Sequence, residues 1–176
     1  LQRYALMGHS MGGRIAVRAA RGQPAGLTRL VIVDPPVSGA GRRPYPAKLA
    51  WYVHSIRQAT HGMGAEAMRE FCPTWTEEQR RLRAQWLHTC HEPAIVRSFE
   101  DFGRDDIHAD LPHVRVPQLL MTAENGGVVG DEDVAEWQGL APDTLHRRVP
   151  AAGHMIPWDN EAGFHEALGD FLEPRG

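Results

Sequence analysis

The sequence predicts an α/β fold: a parallel sheet whose strands alternate with helices, interrupted by a helical insertion. Three observations predict it. A short apolar run, 4–7, leads into Gly8-His-Ser-Met-Gly-Gly13 and then into the helical stretch 14–20. That is the signature of a strand turning sharply into a helix and leaving a serine at the apex. Further strand-like runs at 30–33, 118–122 and 145–149 alternate with helical ones, as parallel strands require. Between the second and third strands the pattern is helical from Ala47 to about Asp106, placed like an insertion between core strands.

Taken in order, Leu30-Val-Ile-Val33 is a β-branched run stopped by Asp34-Pro-Pro36, so it reads as a buried strand followed by a loop. Residues 37–46 are rich in Gly and Pro and read as loop. Helices are expected at 47–58, 65–71, 76–91 and 93–102. Thr76 is the N-cap of the third and Gln79 its capping-box partner. The core resumes with the strand at 118–122, a helix at 131–140 opened by Asp131, the strand at 145–149 and a closing helix at 160–172.

Bulk properties narrow the function. The chain has 176 residues, 42% of them hydrophobic, and a net charge of -3, which suits one ordinary globular domain. It lacks a strongly basic patch, which argues against nucleic acid as a partner. No apolar stretch approaches the ~20 residues of a membrane span, so no membrane partner is expected. Cys72 and Cys90 form no disulfide framework, which suits a cytoplasmic location. Nothing in the sequence sets an oligomeric state.

The chemistry starts at the elbow. Gly8 and Gly12 flank a turn expected to be too tight for side chains, with Ser10 in strained backbone as the candidate nucleophile. A serine needs a base, and His154, in Ala152-Gly-His-Met155 after the last strand, fits the order serine, acid, histidine. The acid is sought first in the loop after the 118–122 strand. There the expected slot holds Gly126, which has no carboxylate. Asp34 is therefore preferred, with Glu124 and then Asp131 as alternatives. The Met11 amide is the expected oxyanion donor. His88 and His91 share a helix face, but no second ligand pair accompanies them, so no metal is expected.

The elbow, the Gly-His-Met at 153–155 and their order resemble the α/β-hydrolase superfamily. More specific strings are similar to the N-formylmaleamate deformylases of aerobic nicotinate breakdown. They include Val33-Asp-Pro-Pro-Val-Ser-Gly39, Gly41-Arg-Arg-Pro-Tyr-Pro46, Ala84-Gln-Trp-Leu-His-Thr-Cys90, Glu92-Pro-Ala-Ile-Val-Arg97 and Ala152-Gly-His-Met-Ile-Pro-Trp-Asp159. The resemblance implies a Ser10–Asp34–His154 triad with the acid after the sixth strand. It implies cleavage of the formyl C–N bond of N-formylmaleamate to formate and maleamate, with no cofactor. The substrate is then a small anion, and Arg42, Arg43, Tyr52, His61 and His88 become candidates to contact it. The resemblance also makes the elbow strand the fifth of its sheet. The chain is then expected to be the C-terminal part of an α/β-hydrolase fold, strands five to eight, with an N-terminal half and the second oxyanion donor ahead of Leu1. Core would run over 1–38 and 113–176, and a helical cap over 39–112.

Overall fold

A computed structural model of the chain describes residues 2–173. The chain divides into two compact units, Leu1–Tyr45 with Asp105–Gly176, and Pro46–Arg104. The first is built on four parallel strands, β1 (Tyr4–His9), β2 (Leu27–Val33), β3 (Gln118–Ala123) and β4 (Leu145–Val149), in spatial order β1-β2-β3-β4. Helices α1 (Met11–Arg21), α6 (Asp131–Leu140), α7 (Ile156–Asp159) and α8 (Glu161–Leu168) belong to it, with a 3-10 turn at His108–His113. The second unit holds α2 (Leu49–Thr60), α3 (Ala65–Met68), α4 (Glu77–Leu87) and α5 (Glu92–Asp101).

The runs 30–33 of β2 and 119–121 of β3 are apolar without alternation because both faces are covered. Leu30, Ile32 and Leu120 share a core with Ala16, Val17 and Ala20 of α1 and with Val134 and Trp137 of α6. Val31, Val33, Leu119 and Met121 point the other way and share a core with Val149, Ile156, Ala167 and Phe171. β1 is the edge strand: among the described residues it pairs only with β2, and its Met7 is well exposed.

Register decides where function can sit. His9 lies opposite Val33, Val33 opposite Met121, and Ala123 opposite Val149, so β1 and β2 finish together while β3 and β4 run slightly further at the same edge. The ladder continues past the strand ends, with Ser10 N–H donating to Val33 O and Asp34 N–H to Met121 O, both at 2.8 Å. Ser10, Asp34, the 124–127 loop and the 151–154 loop all emerge at this one carboxyl edge, where α/β sheets bind their ligands.

The helical unit has its own core of Ile56, Ala59, Met68, Phe71, Cys72, Ala84 and Leu87. Thr76 caps α4 as expected, accepting from Gln79 N while the Gln79 side chain accepts from Thr76 N. The Arg83 guanidinium lies over the rings of Trp51 and Trp75, at 5.4 and 5.7 Å, so both tryptophans serve packing within the unit. This unit is shorter than the 39–112 expected. Residues 39–45 and 105–112 belong with the sheet, tied there in part by Arg42 pairing with Glu136 and Arg18 pairing with Asp110. The closing helix is also shorter than expected. Gly169, at φ +48°, ends it, and the short helix α7 precedes it.

The elbow corrects one expectation. A Cβ on Gly8 would lie 2.1 Å from Gly12 O and 2.7 Å from Gly13 N, both backbone atoms that cannot yield. A Cβ on Gly12 meets nothing within 4 Å, so Gly12 is not sterically required. The second tight position is Gly13, whose Cβ would meet Ile32, Gly8 O and Pro35 at 3.1–3.2 Å. It is there that α1 presses on the sheet. In urea unfolding, Gly8→Ala should cost about 3 kcal/mol or more and Gly13→Ala about 1–3 kcal/mol. Gly12→Ala should be neutral or up to about 1 kcal/mol stabilising, since alanine favours a helix over glycine. A Gly12→Ala loss as large as that of Gly8→Ala would contradict this assignment.

Candidate active site

Ser10 stands between β1 and α1 at φ 54° and ψ −123°, a backbone region that costs a non-glycine residue of order 1–3 kcal/mol. Its fixed neighbours impose it: the amide is tied to β2, and its carbonyl accepts from Gly13 N at 2.9 Å to begin α1. The first amides of a helix have no acceptor within it, and Met11 N–H is the first of α1. That donor follows Ser10 directly in the chain, at the positive end of the α1 dipole.

His154 lies in the loop after β4. Its Nδ1 is 2.7 Å from Asp34 Oδ2 and its Nε2 is 2.9 Å from Ser10 Oγ. An ionised carboxylate can only accept, so Nδ1 carries the proton and Nε2 presents its lone pair to the serine hydroxyl. The structure therefore brings Ser10, His154 and Asp34 into one hydrogen-bonded line.

Asp34 follows β2 directly, fully buried and at φ 43°. Its second oxygen faces Ala123 N at 3.4 Å. The loop that carries it is gripped by Arg14, a buried residue of α1 that donates to Pro36 O and Ser38 O, each at 2.8 Å, and to Asp105 O. Burial lowers the Arg14 pKa from its usual value. Gly126, where the sequence lacked an acid, supplies space instead. A Cβ there would come within 2.7 Å of Ala123 Cβ, 3.2 Å of Asp34 Oδ2 and 3.4 Å of His154 N.

The alternative acids have other partners. Glu124 Oε2 accepts from Ala151 N at 2.8 Å, fastening the loop that leads to His154. Asp131 pairs with Arg148 at the exposed start of α6, and that pairing lowers its pKa.

His9 was not singled out in the sequence, although it stands inside the elbow motif. Its Nε2–H donates to the His154 carbonyl at 2.7 Å, and the two rings lie 5.0 Å apart. Burial lowers its pKa below the usual 6.5, which favours the neutral form of the ring. Tyr45 was also missed. Its hydroxyl is 3.3 Å from His154 Nε2. A lone tyrosine in a proline-rich loop gave no sign of this, because the approach depends on tertiary structure.

The expected carboxylate anchors need correction. Arg42 makes a two-pronged pair with Glu136, both distances 2.7 Å, and also meets Asp106. Arg43 pairs with Asp133 and donates to Val128 O. Both are committed to protein acceptors. Tyr52 packs edge-on against Trp51 within the helical unit, while His61 and His88 are exposed there. Among the described residues, no group of three or more His, Cys, Asp or Glu could hold a metal, and no helix is long and apolar enough to cross a membrane.

Several known proteins are similar to this chain. N-formylmaleamate deformylase of Pseudomonas putida (strain KT2440) is 61% identical over 173 residues, covering 98% of this chain and 65% of that protein. The chain thus spans just under two thirds of that relative's length. The crystal structure of an N-formylmaleamic acid deformylase variant from Pseudomonas putida S16 superposes with a TM-score of 0.90 at 52% identity, covering 94% of this chain and 66% of that one. E-2-(acetamidomethylene)succinate hydrolase shares the fold at 20% identity, with a TM-score of 0.72 over 98% of this chain and 68% of that one. The pattern of the Alpha/beta hydrolase family matches residues 1–167, and the chain belongs to that family.

Proposed function

We propose that the protein is a serine hydrolase that cleaves the formyl C–N bond of N-formylmaleamate, giving formate and maleamate. The observation that carries the reading is the Ser10–His154–Asp34 line at 2.9 and 2.7 Å in a chain 61% identical to a deformylase for that compound. The scissile nitrogen lies between two carbonyls and leaves more readily than an ordinary amine, which suits a serine site working without a metal.

In this scheme Ser10 Oγ attacks the formyl carbon while His154 Nε2 takes its proton. Met11 N–H receives the developing oxyanion. His154 then delivers the proton to the maleamate nitrogen as the C–N bond breaks. Water, deprotonated by the same Nε2, releases formate from the formyl-serine. Asp34 holds the ring in the tautomer that both proton transfers need and stabilises its charged form.

The test is formate release from N-formylmaleamate by the full-length protein with chelator present. Turnover should be unaffected by chelator, whereas loss on chelation and recovery with zinc would overturn the reading. Ser10→Ala should lose on the order of a millionfold in kcat, and Asp34→Ala on the order of ten-thousandfold, since triad members contribute unequally.

His9 gives a second prediction. Its folded pKa lies below the ordinary value, so the unfolded chain binds more protons as pH falls through about 6.5. The stability contributed by burying it neutral is present above that pH and lost below it. His9→Gln retains a donor near the same place without ionising, so its urea midpoint should fall less between pH 7 and pH 5 than that of the parent. His9→Leu removes the donor and should cost about tenfold to a hundredfold in kcat/KM through misplacement of His154. Equal activity of the Leu and Gln variants would remove the positioning role.

A further inference from the structure

Residues 42–46 read Arg-Arg-Pro-Tyr-Pro, and the structure gives each of the first four a task. Arg42 is fastened to Glu136 and Arg43 to Asp133, both acceptors on α6. Pro44 and the proline that follows Tyr45 restrict the backbone on either side of it. The half-buried Tyr45 ring packs against the core that contains Ile107, Val128 and Val129. Its hydroxyl emerges 3.3 Å from His154 Nε2, with the two rings edge-on at 6.2 Å. Two ion pairs, a proline and a packed ring thus aim one hydroxyl at the atom that exchanges protons with the substrate.

In the resting site the Nε2 lone pair goes to the nearer Ser10 hydroxyl at 2.9 Å, so the Tyr45 contact is not what orients the imidazole. We propose that Tyr45 is a further catalytic residue, whose hydroxyl donates a hydrogen bond to the leaving group and selects imide-like substrates. The proposal rests on the deformylase reading above.

Its geometry follows from the proton transfer. To be protonated, the scissile nitrogen must lie about 3 Å from Nε2. The Tyr45 hydroxyl is 3.3 Å from that same atom. The carbonyl oxygen one carbon beyond the nitrogen then comes within reach of it. As Oγ bonds to the formyl carbon and the C–N bond breaks, the electron pair moves onto nitrogen and spreads to this carbonyl oxygen. The Tyr45 O–H bond stabilises the charge there and keeps its own proton. The proton taken from Ser10 passes through Nε2 to nitrogen, leaving a neutral primary amide and a formyl-serine. An ordinary ester with a good leaving group gains little from such a donor.

The experiment compares Tyr45→Phe with the parent full-length protein on N-formylmaleamate and on a series of aryl formates from phenyl to p-nitrophenyl. The quantity compared is kcat/KM, which reports formation of the formyl-serine and not its later hydrolysis. The Phe ring preserves the packing, and a thermal melt checks that it does. Tyr45→Phe should lose about tenfold to a hundredfold on N-formylmaleamate, the scale of a hydrogen bond to developing charge, and less than about twofold on p-nitrophenyl formate. Equal losses on both, or no loss on N-formylmaleamate, would overturn the proposal. A parent protein that releases no formate from N-formylmaleamate would instead sink the deformylase reading. The aryl series then decides Tyr45 alone. The loss must grow as the leaving phenol becomes less acidic, and a constant ratio across the series rejects the role.

Discussion

Asp34 is a carboxylate with no exposure to solvent, and the cost of removing a charge from water sets the terms for everything around it. It must be met by donors, and the strongest is His154 Nδ1 at 2.7 Å. In the proposed mechanism that bond fixes the tautomer of His154, leaves Nε2 as the base and so activates Ser10. Around it the structure supplies what the bond needs. Gly126 leaves the carboxylate room, Arg14 grips the loop that carries it, and His9 holds the carbonyl of the residue it orients. Ser10 and Asp34 both sit at positive φ, so the backbone is strained at two of the three positions where geometry matters most.

The arginines illustrate a general hazard in reading sites from sequence. An Arg-Arg pair in a loop invites an anionic ligand, and N-formylmaleamate is an anion. In the fold, α6 offers Asp133 and Glu136 on one side of the loop, and the guanidinium groups take them. Hydrogen bonding to Arg42 lowers the Glu136 pKa, and the Glu136 contact raises that of Arg42, so each favours the charged form of the other. Both groups are partly exposed, so the pair serves as a fastening more than as a large source of stability. Charge alone could not distinguish a ligand anchor from a strut. Only the opposing acceptors do, and they lie about ninety residues away in the chain.

Much of the sheet unit was legible because its signals are local. The helix Asp131–Leu140 and the strand Leu145–Val149 have the bounds that their patterns suggest, and the elbow motif announces its strand and helix, although the tight second glycine is Gly13 and not the Gly12 that the motif suggests. Ser10, His154 and Asp34 could be nominated because each directly follows a strand or lies in the loop after one, and parallel strands bring such positions to one edge. His9 and Tyr45 could not, since their partners are brought to them by tertiary packing across 145 and 109 residues. The ends of the helical unit were misjudged for the same reason. Residues 39–45 and 105–112 are irregular in pattern, and long-range contacts tie them to the sheet unit, Arg42 and Arg43 with α6 for the first and Arg14 and Arg18 with Asp105 and Asp110 for the second.

The central claim is that Asp34, and no other carboxylate, makes Ser10 reactive through His154. The most direct measurement is the rate at which a serine-directed phosphonate labels the full-length protein, with the modified peptide identified by mass spectrometry. Labelling should fall on Ser10. Asp34→Asn should react on the order of ten-thousandfold more slowly, because the amide reverses the tautomer preference of the ring. Glu124→Gln keeps an acceptor for Ala151 N–H and should react at close to the parent rate. Retained labelling in Asp34→Asn together with lost labelling in Glu124→Gln would contradict the account.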